Sequence, residues 1–328
     1  MFTRRLTLLL LLSLLALLSW PLSTLAATEA PAARLAPFQG HAACAGISAT
    51  VLSTPECDAL MAARPAPPFG QVPVDLGIVD GLGFMTFTQP EVAIYDAPGG
   101  NQVDTLVTGY SYFVPLRYEG NYALIRGNRW VSLDEVAFSR PSSYSGLLLD
   151  GPQDMPFAWV LWGHNASAGP GGRSDPNAGR VERFQRVYIY ATVSLGWDWH
   201  LVGPGQWVNQ KNLSIVYPTP PTQQAGRWAA VNLYEQNLVA YDGSTPVMAA
   251  LVSSGVKNGA WDTNEGTFTI HNRVEAGKMS GSEGQADAYW LDMVPYAQYF
   301  DQLISLHGTY GHNMFGCIRR ATAVSTSR

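Results

Sequence analysis

The chain is poor in charge. Only 14% of its 328 residues are Asp, Glu, Lys or Arg, and 20 basic residues face 25 acidic ones, for a net charge of −5. Without a basic excess there is little to neutralise phosphates, which argues against a nucleic-acid partner. Cysteine is scarce, with three in all, so the chain is not a disulfide miniprotein. The six histidines are scattered and show no metal-ligand spacing, and no Gly-rich phosphate loop is present, so no metal or organic cofactor is expected. Beyond the N-terminal run, no stretch is long and apolar enough to span a bilayer. Glu265 and Asp292 stand as isolated carboxylates, with no acid/base pair in view.

What is present is apolar and turn-rich. Hydrophobic residues make up 47%, too many for a disordered chain. Gly 32, Pro 22, Trp 10 and Tyr 15 favour strands and turns over long helices, so a mostly β protein of two or three domains is expected. At the N-terminus Arg4 and Arg5 precede an apolar run from Leu6 to Leu18, and small residues at Ser23 to Ala27 offer a cleavage point after Ala26. Residues 1–26 therefore read as an export signal, with an uncleaved membrane anchor as the other reading. The mature protein is expected outside the cytoplasm: secreted, periplasmic or in the cell wall. In that oxidising address Cys44 and Cys57 are close enough in sequence to form a bridge, and two buried free thiols are the alternative. Cys317 is then left over and is a candidate nucleophile.

Residues 27–73 are Ala/Pro-rich and read as a linker with a local knot rather than a core-bearing domain. From 74 to 140 short strands alternate with turns, among them Val92 to Tyr95, Tyr112 to Leu116, Tyr122 to Ile125 and Arg129 to Val131. Residues 146–217 repeat the pattern. With Tyr122 on Trp199, Leu124 falls on Leu201, Ile125 on Val202, Trp130 on Trp207, Val131 on Val208 and Val136 on Leu213, all without a gap. Both copies resemble bacterial SH3-like domains, with an early Pro/Gly turn and a late Trp-Val strand, which implies two small barrels. Trp130 and Trp207 are assigned to their cores, while Trp197 beside a turn stays open to ligand or core. The Gly/Pro/Asn-rich insertion 163–179 is expected as a mobile loop, and its Asn165-Ala166-Ser167 is read as loop composition rather than a glycosylation acceptor. Pro-rich residues from Tyr217 to Thr222 mark a boundary.

The last segment, 226–328, carries two alternating strands around Glu235-Gln236-Asn237, an apolar strand ending in Ser253-Ser254-Gly255, a Thr263-Asn264-Glu265-Gly266-Thr267-Phe268 turn leading to a strand, Pro295-Tyr296, and His307-Gly308-Thr309. In this order these elements resemble the L,D-transpeptidase family of bacterial wall enzymes, with Asn264 where the family usually has Pro. The resemblance implies a β catalytic domain that acts by cysteine acyl transfer. A thiolate favoured by an imidazole attacks the amide before a terminal D-Ala of a peptidoglycan stem peptide, and a thioester then waits for an amine. It also implies that His307 lines the active-site groove, with an imidazole bonded to neighbouring backbone as the other reading; Gly308 would allow close backbone approach, and Thr309 either donates to substrate or ends the strand. Catalytic candidates are thus Cys317 and His307, and substrate-binding candidates Gly308 and Thr309.

The family's Ser/Thr-His-Gly-Cys strand is missing as written. Gly316-Cys317-Ile318-Arg319 resembles its second half, but Met314 and Phe315 precede it, and His312 is the nearest spare imidazole. The final residues suggest why. If Arg320 ends in A and the next eight codons are GCC, ACG, GCT, GTG, TCA, ACC, TCT and CG-, a one-base shift reads Ser-His-Gly-Cys-Val-Asn-Leu-Ser. The expectation is a catalytic domain frameshifted or truncated at its end, with an ordinary divergent C-terminus as the alternative. The competing function is a wall-binding protein without catalysis.

Overall fold

The computed structural model describes residues 38–73, 77, 79, 81–139, 142, 144–218, 225–256, 262–285, 288–319 and 325–326. Phe38–Arg328 form one compact unit. The export signal expected over 1–26 lies outside the described residues, as does the shifted-frame stretch from 320 to 324. Among the described residues no helix is long and apolar enough to cross a membrane.

The architecture is mostly β, with one α-helix, Pro55–Ala63. That helix lies in the stretch expected to be a linker. Thr54 caps it by accepting from the Cys57 N–H, and Pro55 stands in its first turn. Cys57 and Met61 are buried, and Cys57 is joined to Cys44 by a disulfide. Both cysteines enter one large core with Phe69, Tyr190, Trp207 and Phe315. The expectation of a stretch outside any core is corrected here. Its Ala/Pro composition hides the packing because most of the apolar mass comes from the strands it lies on.

The internal repeat holds at the level of register. Leu124 pairs Trp130 across one hairpin, and Leu201 pairs Trp207 across the other. Each hairpin leads into a short 3-10 turn, Leu133–Glu135 and Gln210–Asn212, capped by Ser132 and Asn209. Each turn leads into a strand, Val136–Phe138 and Leu213–Val216. Trp130 and Trp207 are buried, whereas Trp197 is exposed. No closed barrel is found among the described residues. The first copy gives a five-stranded sheet, and the second gives two three-stranded sheets. The insertion expected as a mobile loop is bonded into the fold. His164–Asn165 pairs Arg180–Val181, Ser167 bridges Trp207, and Ala166 is fully buried.

The third segment is built on a large sheet. Its path runs Arg227–Asn232, Asn237–Asp242, Thr245–Ser253, Ser325–Thr326, Ile304–Gly308 and Tyr289–Asp301. Asn272–Gly281 pairs with Tyr289–Asp301 from the side. The strand expected after the Gly266 turn thus begins at Asn272, since the residues before it make no ladder pairs. The sheet does not stop at the third segment. Tyr110–Phe113 of the first copy pairs in parallel with Tyr289–Leu291 and brings Met85–Phe87 and Val136–Phe138 with it. Leu147–Leu148 pairs with Ala249 and Met248 at the other side. Asp292, read from sequence as isolated, is buried against Arg126 of the first copy at 2.7 Å. It also accepts from the Val114 N–H and the Trp290 Nε1–H.

Candidate active site

His307 sits near the end of Ile304–Gly308 and is 3% exposed. Its Nδ1 lies 2.8 Å from the Gly308 carbonyl, an acceptor only, so Nδ1 carries the proton and Nε2 holds the lone pair. Nε2 is buried and, among the described residues, has no hydrogen-bond partner. Burial pulls the imidazole below its ordinary range, so it is held neutral. Its neighbour Gly308 is glycine for a steric reason: a Cβ there would stand 2.7 Å from the Pro295 ring. Thr309 ends the strand, and its hydroxyl accepts from the Gly311 N–H.

The strand Ser325–Thr326 lies between His307 and Ser253. It pairs in parallel with His307–Gly308 and antiparallel with Val252–Ser253. Two further buried hydroxyls on these strands, Ser253 and Ser305, are also without partners. Buried polar atoms are nearly always satisfied, so three orphans on two strands that share one neighbour mark a polar slot.

Cys317 is in a turn tied down by the Gly316 N–H bond to the Val252 carbonyl. The thiol donates to the Leu161 carbonyl at 3.5 Å. Its pKa is pushed up by burial, which outweighs the nearby Arg183 guanidinium. Among the described residues no imidazole is hydrogen-bonded to it. His312 accepts from the Met314 N–H and packs its ring on Phe315.

The turn before Asn237 binds in two directions. Gln236 donates to the Ser254 hydroxyl at 2.8 Å and accepts from the Ser254 N–H at 2.9 Å, which fixes the strand end beside the slot. Glu235 is 4% exposed and accepts from Ile215 N–H at 2.7 Å and from Gln210 Nε2 at 3.0 Å. The chain of bonds continues from Gln210 Oε1 to His200 Nε2 at 2.6 Å and from His200 Nδ1 to the Thr192 hydroxyl at 3.0 Å. Burial raises Glu235 to about 7 and lowers His200. Sequence reasoning saw Glu235-Gln236-Asn237 only as a turn. Three polar residues between two apolar strands were the available sign that the turn is docked. Arg183 carried no such sign, since it lies far from Cys317 in the sequence.

A family comparison bears on this geometry. Residues 226–325 match the YkuD L,D-transpeptidase catalytic domain. The matched span begins at the first strand of the third segment and ends in the strand beside His307. It includes the slot, the Gln236–Ser254 clamp and Cys317, and it leaves out both copies of the repeat. No curated protein and no solved structure matches the chain. Among the described residues no group of His, Cys, Asp and Glu could hold a metal ion.

Proposed function

We propose that this chain is an exported acyl transferase of L,D-transpeptidase type, acting on peptidoglycan stem peptides. The carrying observation is the match of 226–325 to that catalytic domain, a span that contains His307 and the two orphaned serines. In this reading His307 holds a neutral imidazole with its Nε2 lone pair directed away from its own backbone bond. Gly308 lets the chain approach closely, and Thr309 presents a hydroxyl at the strand end. Cys317 is the thiol this polypeptide has for attack on the amide carbon. Its sulfur would form a thioester as the D-amino acid leaves with a proton on its amine.

One observation favours the second reading, a wall-binding protein without catalysis: among the described residues Cys317 has no imidazole hydrogen-bonded to it, and burial raises its thiol. The codon reading of 320–328 bears on the same point. The shifted Ser-His-Gly-Cys would immediately precede the strand that lies beside His307.

A thiol-directed carbapenem separates these readings. Mass spectrometry of the full chain after exposure should show an adduct on Cys317 that is lost in Cys317→Ser. No adduct, with retained binding to wall sacculi, assigns the chain to binding. An adduct only in protein translated from the shifted frame assigns the nucleophile to that frame. Gene codons that do not spell Ser-His-Gly-Cys in that frame eliminate the last outcome.

A further inference from the structure

Four buried side chains form a row from the second copy into the matched segment: Thr192, His200, Gln210 and Glu235. Three hydrogen bonds join them. His200 Nδ1 meets the Thr192 hydroxyl at 3.0 Å, His200 Nε2 meets Gln210 Oε1 at 2.6 Å, and Gln210 Nε2 meets Glu235 Oε1 at 3.0 Å. The acyl-transfer reading uses none of the four.

The charge on Glu235 fixes the direction of every bond in the row. A carboxylate only accepts, so a charged Glu235 takes an N–H from the Gln210 amide. Gln210 then presents its oxygen to His200, and Nε2 must carry the imidazole proton. Nδ1 is left with its lone pair and accepts from the Thr192 hydroxyl. All three bonds donate toward Glu235.

A proton on Glu235 reverses the row. Oε2 is committed to the Ile215 N–H at 2.7 Å, so the proton belongs on Oε1, whose partner is Gln210. Its O–H would then face the Gln210 NH₂, donor against donor, and a buried donor without an acceptor is costly. A half-turn of the Gln210 amide removes the conflict within the same outline. The Gln210 oxygen accepts from Glu235, and its NH₂ donates to His200 Nε2. His200 must then hold its proton on Nδ1 and donate it to Thr192. Glu235 gains one proton in this change. The imidazole gives up the proton on Nε2 and takes one on Nδ1, so it stays neutral. Each arrangement satisfies all three bonds with the heavy atoms in place, and no mixture of the two does.

We propose that this row is a two-state proton sensor at the junction of the second copy and the matched segment, in which protonation of Glu235 sets the tautomer of His200 through a flip of the Gln210 amide. Burial lowers His200 and raises Glu235 to about 7, so the carboxyl takes its proton before the imidazole takes a second one as pH falls. Asp198 and Tyr217 also face the row, with Tyr234 beside Glu235 in its turn and Lys211 beside Gln210. Arg319 reaches the same turn at the Leu233 carbonyl. Among the described residues none of these five is hydrogen-bonded to the Glu235 carboxyl or to the His200 ring.

The test is NMR of the full chain with nitrogen-15-labelled histidine. Long-range proton–nitrogen couplings distinguish an imidazole protonated at Nε2 from one protonated at Nδ1, and His200 is assigned by the signal lost in His200→Gln. The wild type should read Nε2–H at pH 8.5 and Nδ1–H at pH 6. The tautomer ratio should change by at least about tenfold, with its midpoint near the Glu235 value of about 7. Glu235→Gln sets an oxygen on the Ile215 N–H and an NH₂ on Gln210, which is the protonated pattern, so it should read Nδ1–H at both pH values. Gln210→Met cuts the row and should abolish the change. If Glu235→Gln fails to fold, the wild-type titration and Gln210→Met decide. A tautomer that does not change across the range overturns the proposal, as does an imidazole that gains a second proton instead of moving the first. A change that survives in Gln210→Met overturns it too.

Discussion

At the scale of single residues, the most informative group is a carboxyl that the sequence places in a turn. Glu235 is buried, accepts two hydrogen bonds, and is still raised to about 7 because lost hydration outweighs them. A carboxyl raised on folding binds its proton more tightly in the folded state. Its effect on stability is therefore unfavourable as pH rises from its ordinary value of 4.5 to about 7. The full difference corresponds to about 3 kcal/mol. Glu235→Gln keeps an acceptor for Ile215 and removes the titration. Thermal melts between pH 5 and pH 8 should show the variant gaining on the wild type by up to that amount as pH rises. An equal gap at both ends of the range would contradict the burial of the carboxylate. His200 acts with the opposite sign, since its lowered pKa makes stability fall with acidification below its ordinary 6.5. For that reason the wild-type profile alone is flatter than either group would make it, and the variant difference is the quantity to read. Tyr217 and Asp198 also face this relay; Tyr217 is raised by burial and stays neutral through the window.

At the scale of elements, the Glu235-Gln236-Asn237 turn works as a clamp. Gln236 holds the end of Thr245–Ser253 through Ser254, and Asn237 donates to Ser214 and to the Ile215 carbonyl. Gln236→Ala would leave the Ser254 N–H buried without its partner and take away the donor to the Ser254 hydroxyl. The expected cost is about 2–4 kcal/mol, read as a lower urea midpoint at unchanged slope. A loss below about half a kcal/mol would mean the clamp is not closed in solution. The repeat belongs to this scale too. The spacing of Leu124 with Trp130 and of Leu201 with Trp207 was legible because hairpin register follows local turn geometry. The fate of the edges was not. Whether a hairpin closes on itself or joins another sheet depends on what stands beside it, and here the first copy meets Tyr289–Asp301.

At the scale of the molecule, the first copy and the matched domain are joined by the pairing of Tyr110–Phe113 with Tyr289–Leu291 and by a partly buried ion pair. Asp292 bonds Arg126, and burial still raises its carboxyl. Arg126→Met leaves Asp292 buried with a charge and no countercharge, with an expected loss of about 3–5 kcal/mol. Arg126→Met with Asp292→Asn should recover much of it, because the uncompensated charge is gone. Chemical denaturation of the three proteins checks this, and failure of the double variant to recover would place the cost in packing instead. The pair also bears on the candidate site, since Asp292 is on the strand that neighbours Ile304–Gly308.

The order of the strands in the last segment, the turn chemistry and the Cys44–Cys57 partnership were written in local sequence. Alternation, small residues at turns and short cysteine spacing act over a few residues and need no partner to be read. Three things required the tertiary structure. The helix Pro55–Ala63 is part of a core only because other strands supply the apolar surface it covers. Glu235 becomes a raised carboxyl only because segments distant in sequence bury it, which outweighs the bonds it accepts from Ile215 and Gln210. The Gly316 N–H reaches the Val252 carbonyl, a link that chain distance does not encode, since burial and pairing depend on which segments meet in space.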